Sequence, residues 1–166
     1  MNKDILKQAI DNLSINMICL RDTQAKLYNG FDPLVPGQEM VGQFIINTRS
    51  FDRKELIDEA GNVSKFFVYQ TEARMRYLKG PIPEHLQDAQ ENNEEINKLV
   101  ASEIIAVFSS EYSLKSDIDL DDSSLLEFGK HNVPHQVWPY WREYCQSTCS
   151  RMSLPVYVLP MYVINS

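Results

Sequence analysis

Residues 137–155 read VWPYWREYCQSTCSRMSLP. This stretch holds both tryptophans of the 166-residue chain, two of its eight tyrosines and two of its three cysteines. Proline is tolerated in the first turn of a helix, where its missing N–H would have had no partner, so Pro139 marks a helix start. The run SLP after Met152 then marks its end, and the tail VYVLPMYVINS reads as extended and apolar. On such a helix Trp141, Tyr144, Cys145, Thr148 and Met152 fall on one side, the spacing of a core-facing stripe. Aromatic side chains bury ~150–250 Å² each, which suffices to anchor a helix on a sheet, with the alkyl stem of Arg142 along apolar surface.

Working back from this helix, DIDLDDSSLLEFGKHNV carries Asp and Ser in capping positions and predicts a short helix over 122–129 closed by Gly129. Upstream, Ile104, Ala106, Phe108, Ser110, Tyr112 and Leu114 alternate with Ile105, Val107, Ser109, Glu111 and Ser113, one more apolar face and one that turns polar after Val107, and predict a strand over 104–114. Another strand is clearer still. Phe67, Tyr69, Thr71, Ala73, Met75 and Tyr77 fall on one side, and Gln70, Glu72, Arg74 and Arg76 on the other, one face for a core and one for water. Residues 40–51 are rich in Val, Ile and Phe and predict a strand followed by the turn EAGN at 59–62. Residues 15–28 predict a first strand, preceded by a short helix over 3–11. Four strands then helices make an α+β arrangement in one domain, since no internal repeat or second domain is evident.

Two connections stand out. NGFDPLVPG, at 29–37, is broken by Gly and Pro yet exposes Phe31, Leu34 and Val35 in a loop that should be polar. EHLQDAQENNEE, at 84–95, has five acidic residues, no Lys or Arg and one Leu. It buries too little apolar area to offset its ordering entropy, and reads as a mobile loop or frayed helix.

The net charge of −7 and the lack of a Lys/Arg stripe argue against a nucleic-acid partner. No apolar run approaches the ~20 residues that span a bilayer, and Asp4 and Asp11 stand where a secretory signal needs an uncharged run, so a cytoplasmic protein is expected. An odd number of cysteines, Cys19, Cys145 and Cys149, suggests thiols in a reducing compartment. His131 and His135 followed by Cys145 and Cys149 give H-x₃-H and C-x₃-C, an acceptable zinc donor set by residue type, or a thiol enzyme's Cys–His pair. Pro134 sits between the histidines and the spacings match no common zinc module. No phosphate loop, nucleophile elbow or H-E-x-x-H is present, so the sequence favours binding over catalysis.

The opening stretch also carries a resemblance. Trp138-Pro139-Tyr140-Trp141-Arg142-Glu143 resembles the FPYxRE segment of SecB, the bacterial protein-export chaperone family. The match continues through Ser147, Arg151, Leu154-Pro155 and Leu159-Pro160. It is close over 134–160 and one of pattern over 13–160. The fold it implies is a four-stranded antiparallel sheet with helices packed on one face, assembled as a homotetramer, a dimer of dimers. It further implies a chaperone that uses no cofactor and no ATP, holds unfolded or partly folded polypeptides in apolar grooves and, in the export branch, delivers them to SecA.

By that resemblance the crossover after the first strand lines the groove, which makes Phe31, Leu34 and Val35 substrate-binding candidates, with Met40 and Phe44 on the next strand. All five would otherwise pack inside the protomer or the tetramer. Trp138, Pro139, Tyr140, Arg142 and Glu143 are then structural. SecA docking in the family uses acidic positions matched here by Asp22 and Glu111, whereas a third is reversed to Lys26. Like charge at a docking site disfavours the partner. With the acidic insertion at 84–95 and a chain ending at Ser166 without the family's C-terminal helix, the departures suggest a relative of the toxin–antitoxin–chaperone branch, with an antitoxin as client.

Overall fold

In the computed structural model, which describes residues 3–28, 30–86, 93–115, 118–160 and 162, the chain order is α1 (Lys3–Asn12), β1 (Leu13–Leu27), β2 (Met40–Ile57), β3 (Val63–Lys79), a 3₁₀ turn (Glu84–Leu86), α2 (Glu94–Leu99), β4 (Val100–Leu114) and α3 (Asp122–Arg151). The strands form one antiparallel sheet in the order β1-β4-β3-β2. The alternation of β3 and β4 explains its core: Phe67, Tyr69, Thr71, Ala73, Met75 and Tyr77, with Ile104, Ala106, Phe108, Ser110 and Tyr112, are all buried under α3. α1 packs beside α3 on the same face.

The opposite face of β3 is not wholly turned to water, as the alternation alone suggests. Gln70, Glu72 and Arg74 are half-buried, but Arg76 is enclosed, donating to Gln43 Oε1 (3.1 Å) and to Asn97 Oδ1 of α2 (3.3 Å). Beside it Leu78, Leu86, Ile96 and Val100 form a second, smaller core. The acidic segment therefore does bury apolar side chains at its two ends, Leu86 and then Ile96 just beyond it. Its middle, 87–92, lies outside the described residues.

β2 runs past Phe51 to Ile57, because the Asp58 carboxylate closes the hairpin by accepting from the backbone N–H of Ala60 (2.9 Å) and Asn62 (2.8 Å). The larger correction concerns α3. Two helices, 122–129 and 139–152, are in fact one of 30 residues that passes through Gly129, Pro134 and Pro139. Gly129 does not end the helix; it lets the helix approach. A Cβ there would lie 2.9 Å from the Tyr69 ring, and Thr48 Oγ1 donates to the Gly129 carbonyl at 2.6 Å. Each interior proline removes a helical hydrogen bond at a cost of about 3 kcal/mol. Burying Leu125, Phe128, Val133, Val137, Trp138 and Trp141 returns about 1.5–3 kcal/mol per side chain, so packing wins. Asp121 caps the start, accepting from Ser124 N–H at 2.7 Å; the Ser124 hydrogen bonds hold its carboxyl below the usual range.

Candidate functional site

The crossover from β1 to β2 is braced from within. Phe31 N–H donates to the Tyr28 carbonyl (2.9 Å), the Asp32 carboxylate accepts from Leu34 N–H (2.9 Å), and the Gln38 amide donates to the carbonyls of Asp32 (2.7 Å) and Val35 (2.9 Å). These bonds sort the three apolar loop residues. Phe31 turns into the main core, with Lys79 Nζ 5.9 Å from its ring centroid, so the loop does not expose it as its sequence suggests. Leu34 and Val35 point outward, 75% and 51% exposed. The braced loop thus holds two adjacent aliphatic side chains in water.

Where the loop joins β2, Met40 packs half-buried against the core. Phe44 lies opposite Met75 on the helix side of the sheet. It is 40% exposed, with its ring centroid 5.6 Å from Trp138 and 6.4 Å from Tyr157. Tyr157 belongs to the segment after α3, which the sequence identified only as extended and apolar. Leu154 and Leu159 of that segment are buried while Val156 and Val158 are exposed, so it adds apolar surface beside Phe44. The signal that could have placed it was Gly42, where a Cβ would come within 2.9 Å of the Tyr157 ring. The motif residues divide. Trp138 is buried and Arg142 half-buried, whereas Pro139, Tyr140 and Glu143 face outward, so only part of the motif docks the helix.

Asp22 and Glu111 lie together on the other face. Asp22 pairs with Val107, and Glu111 with Val68 and Met17, so both leave the sheet away from α3. On β4 their positions are about 13 Å apart at strand rise. Lys26 shares that face, opposite Glu103, with its ammonium 4.8 Å from the Tyr28 ring centroid.

The histidines and cysteines do not converge. One continuous helix separates His135 from Cys145 by about 15 Å of rise, far beyond a shared ion. His131 sits 3.5 Å from Glu127, and Cys145 and Cys149 are sealed against the sheet. Among the described residues no group of three or more His, Cys, Asp and Glu is arranged to hold a metal. The hydrogen bond from Cys145 favours the ionised form of the Cys149 thiol, against the opposing effect of burial, and Tyr77 Oη lies 3.7 Å from its sulfur. No described helix is long and apolar enough to cross a membrane.

An antiparallel sheet of order β1-β4-β3-β2, covered on one face by a long helix and entered through an apolar crossover, defines the SecB-like class of fold. A solved structure that shares it is the Mycobacterium tuberculosis Rv1957 SecB-like chaperone, in complex with a ChAD peptide from the Rv1956 HigA1 antitoxin. The two are similar over 98% of this chain and 99% of that one, with a TM-score of 0.65 and 16% sequence identity. No family model matches the sequence, and no curated protein does.

Proposed function

We propose that this protein is an ATP-independent chaperone that holds unfolded or aggregation-prone polypeptides on the surface made by Leu34, Val35 and Phe44, with Phe31 and Met40 as its base. An antitoxin is the preferred client. The observation that carries this reading is the braced crossover loop, which keeps two aliphatic side chains in water on a fold shared with a chaperone solved with an antitoxin peptide. Burial at ~25 cal/mol per Å² is non-directional, so such a surface accepts many sequences. Ordering the client opposes part of that gain and keeps release possible without nucleotide. A homotetramer would align several such surfaces and add avidity; the free edge of β1, with Ile10, Ile15 and Leu20 exposed beside it, is consistent with that assembly. Asp22 and Glu111, on the other face, would let a second partner dock while a client is held.

The purified protein at near-stoichiometric ratio is expected to suppress aggregation of an unfolded client and to run as about four protomers, the assembly on which the avidity argument rests. A monomer without suppression sinks the proposal. Affinity purification from the native host then selects the branch: a co-purifying antitoxin supports the dedicated role, and export precursors with SecA replace it with the general one.

A further inference from the structure

The segment after α3 is extended, apolar and firmly seated, yet it joins no strand of the sheet. Two side chains fasten its backbone. The Tyr77 hydroxyl donates to the Pro155 carbonyl, and the Trp138 indole N–H donates to the Pro160 carbonyl at 2.9 Å. Between these anchors Leu159 enters the core completely, Leu154 nearly so, and Tyr157 lies over Gly42 against Phe44.

Donors aimed at carbonyl oxygens read the backbone, not its sequence, because every residue offers a carbonyl. Both accepting residues are prolines, and the backbone N–H of Tyr157 donates to the Tyr77 oxygen in return. Aliphatic pockets five residues apart then select for apolar character. This is the chemistry by which a groove takes an extended chain of loose sequence. Here the chain's own Leu-Pro-Val-Tyr-Val-Leu-Pro, at 154–160, occupies it.

We infer that this seat is part of the client-binding surface and that residues 154–160 are its resident occupant, displaced by an extended, aliphatic-rich client segment. The inference rests on the chaperone reading and deepens it. Leu34, Val35, Phe44 and Val158 make first contact, being exposed. Displacement returns Leu154 and Leu159 to water, so only a segment that refills both pockets completes the exchange. The resident segment thereby rejects polar chains without any moving part beyond itself.

The test is backbone hydrogen exchange on the full-length protein, with and without a saturating reduced, carboxymethylated small protein as permanently unfolded client. Client binding is expected to speed exchange at residues 156–159 by at least about threefold while α3 is unchanged, the signature of a locally released segment. Unchanged or slower exchange there overturns the inference, because a fixed wall is protected by its ligand. Leu159→Ala provides an independent readout: it weakens the occupant without touching Tyr77 or Trp138, so client should bind about three- to tenfold tighter as the open fraction rises. Weaker or equal binding overturns it. If the wild-type protein captures client while the segment stays protected, this inference fails alone; if it captures none, the chaperone reading fails with it.

Discussion

Two aromatic clusters lie between α3 and the sheet, and they differ in what covers them. In the first, Phe51, Tyr69, Tyr112 and Phe128 stack with ring centroids 5.0–5.9 Å apart. The helix presses on it at Gly129, and burial raises the Tyr69 and Tyr112 hydroxyls far above their ordinary range. In the second, Phe44, Trp138, Tyr157 and Tyr162 stand 5.3–6.4 Å apart, under a segment with no secondary structure, and Phe44 is left partly in water. The side-chain chemistry is alike. A regular element seals the first cluster and an irregular one covers the second, which makes one a foundation and leaves the other open to water at Phe44.

The contrast can be broken most sharply at the sealed cluster. Phe128→Ala should cost about 3–5 kcal/mol of unfolding free energy, read from urea titration, since nothing mobile can refill the space. A cost below about 1 kcal/mol, the scale of an ordinary substitution, would mean that the first cluster is no better sealed than the second. Gly129→Val should cost about 1–3 kcal/mol by overpacking against Tyr69, seen as a lowered urea midpoint at unchanged slope. Phe44→Ala should cost about 1 kcal/mol, because the ring is already partly hydrated, while lowering client capture about tenfold. Equal losses of capture from Phe44→Ala and from an equally destabilising core change would erase the distinction.

Leu34→Asp with Val35→Asp should leave stability within about 0.5 kcal/mol and yet abolish capture, because both side chains are in water before client arrives. The smallest expected effect is one of pH. Hydrogen bonds from Ser124 to Asp121, and from Asn62 to Asp58, depress both carboxyls in the folded state. Their stabilising contribution is complete above the unfolded carboxylate value of about 3.9 and fades as pH falls through the lower folded values. Unfolding temperatures should therefore drop in that acid window, and less so in Asp121→Asn, which keeps a cap that does not titrate.

The sealed cluster was legible in the sequence because strands announce themselves by period. From Tyr69 to Tyr77 on β3 and from Phe108 to Tyr112 on β4 the core-facing positions recur at every second residue, and the sheet needs little else. Local rules for Gly and Pro divide α3 in two, whereas Gly129 answers to a ring 60 residues away in sequence, Tyr69. The surface proposed for clients is half legible in the sequence. Three apolar residues in a loop have no period to sort them, and the sorting is done by Asp32 and Gln38, whose bonds send Phe31 inward and Leu34 and Val35 outward. The segment after α3 reads as extended, but its seat depends on Tyr77 and Trp138 donating to carbonyls, which no residue pattern in the segment itself encodes.

The strand order also has a consequence in time. Leu27 waits for Ser102 and Leu13 for Leu114, so β1 leaves the ribosome long before β4 exists to pair with it. At synthesis rates of about 5–20 residues per second the interval is on the order of ten seconds. Throughout it a 15-residue strand carrying Ile15, Met17 and Leu20 has no ladder to join. Each newly made copy thus passes through the same vulnerable condition as the chains it is proposed to hold.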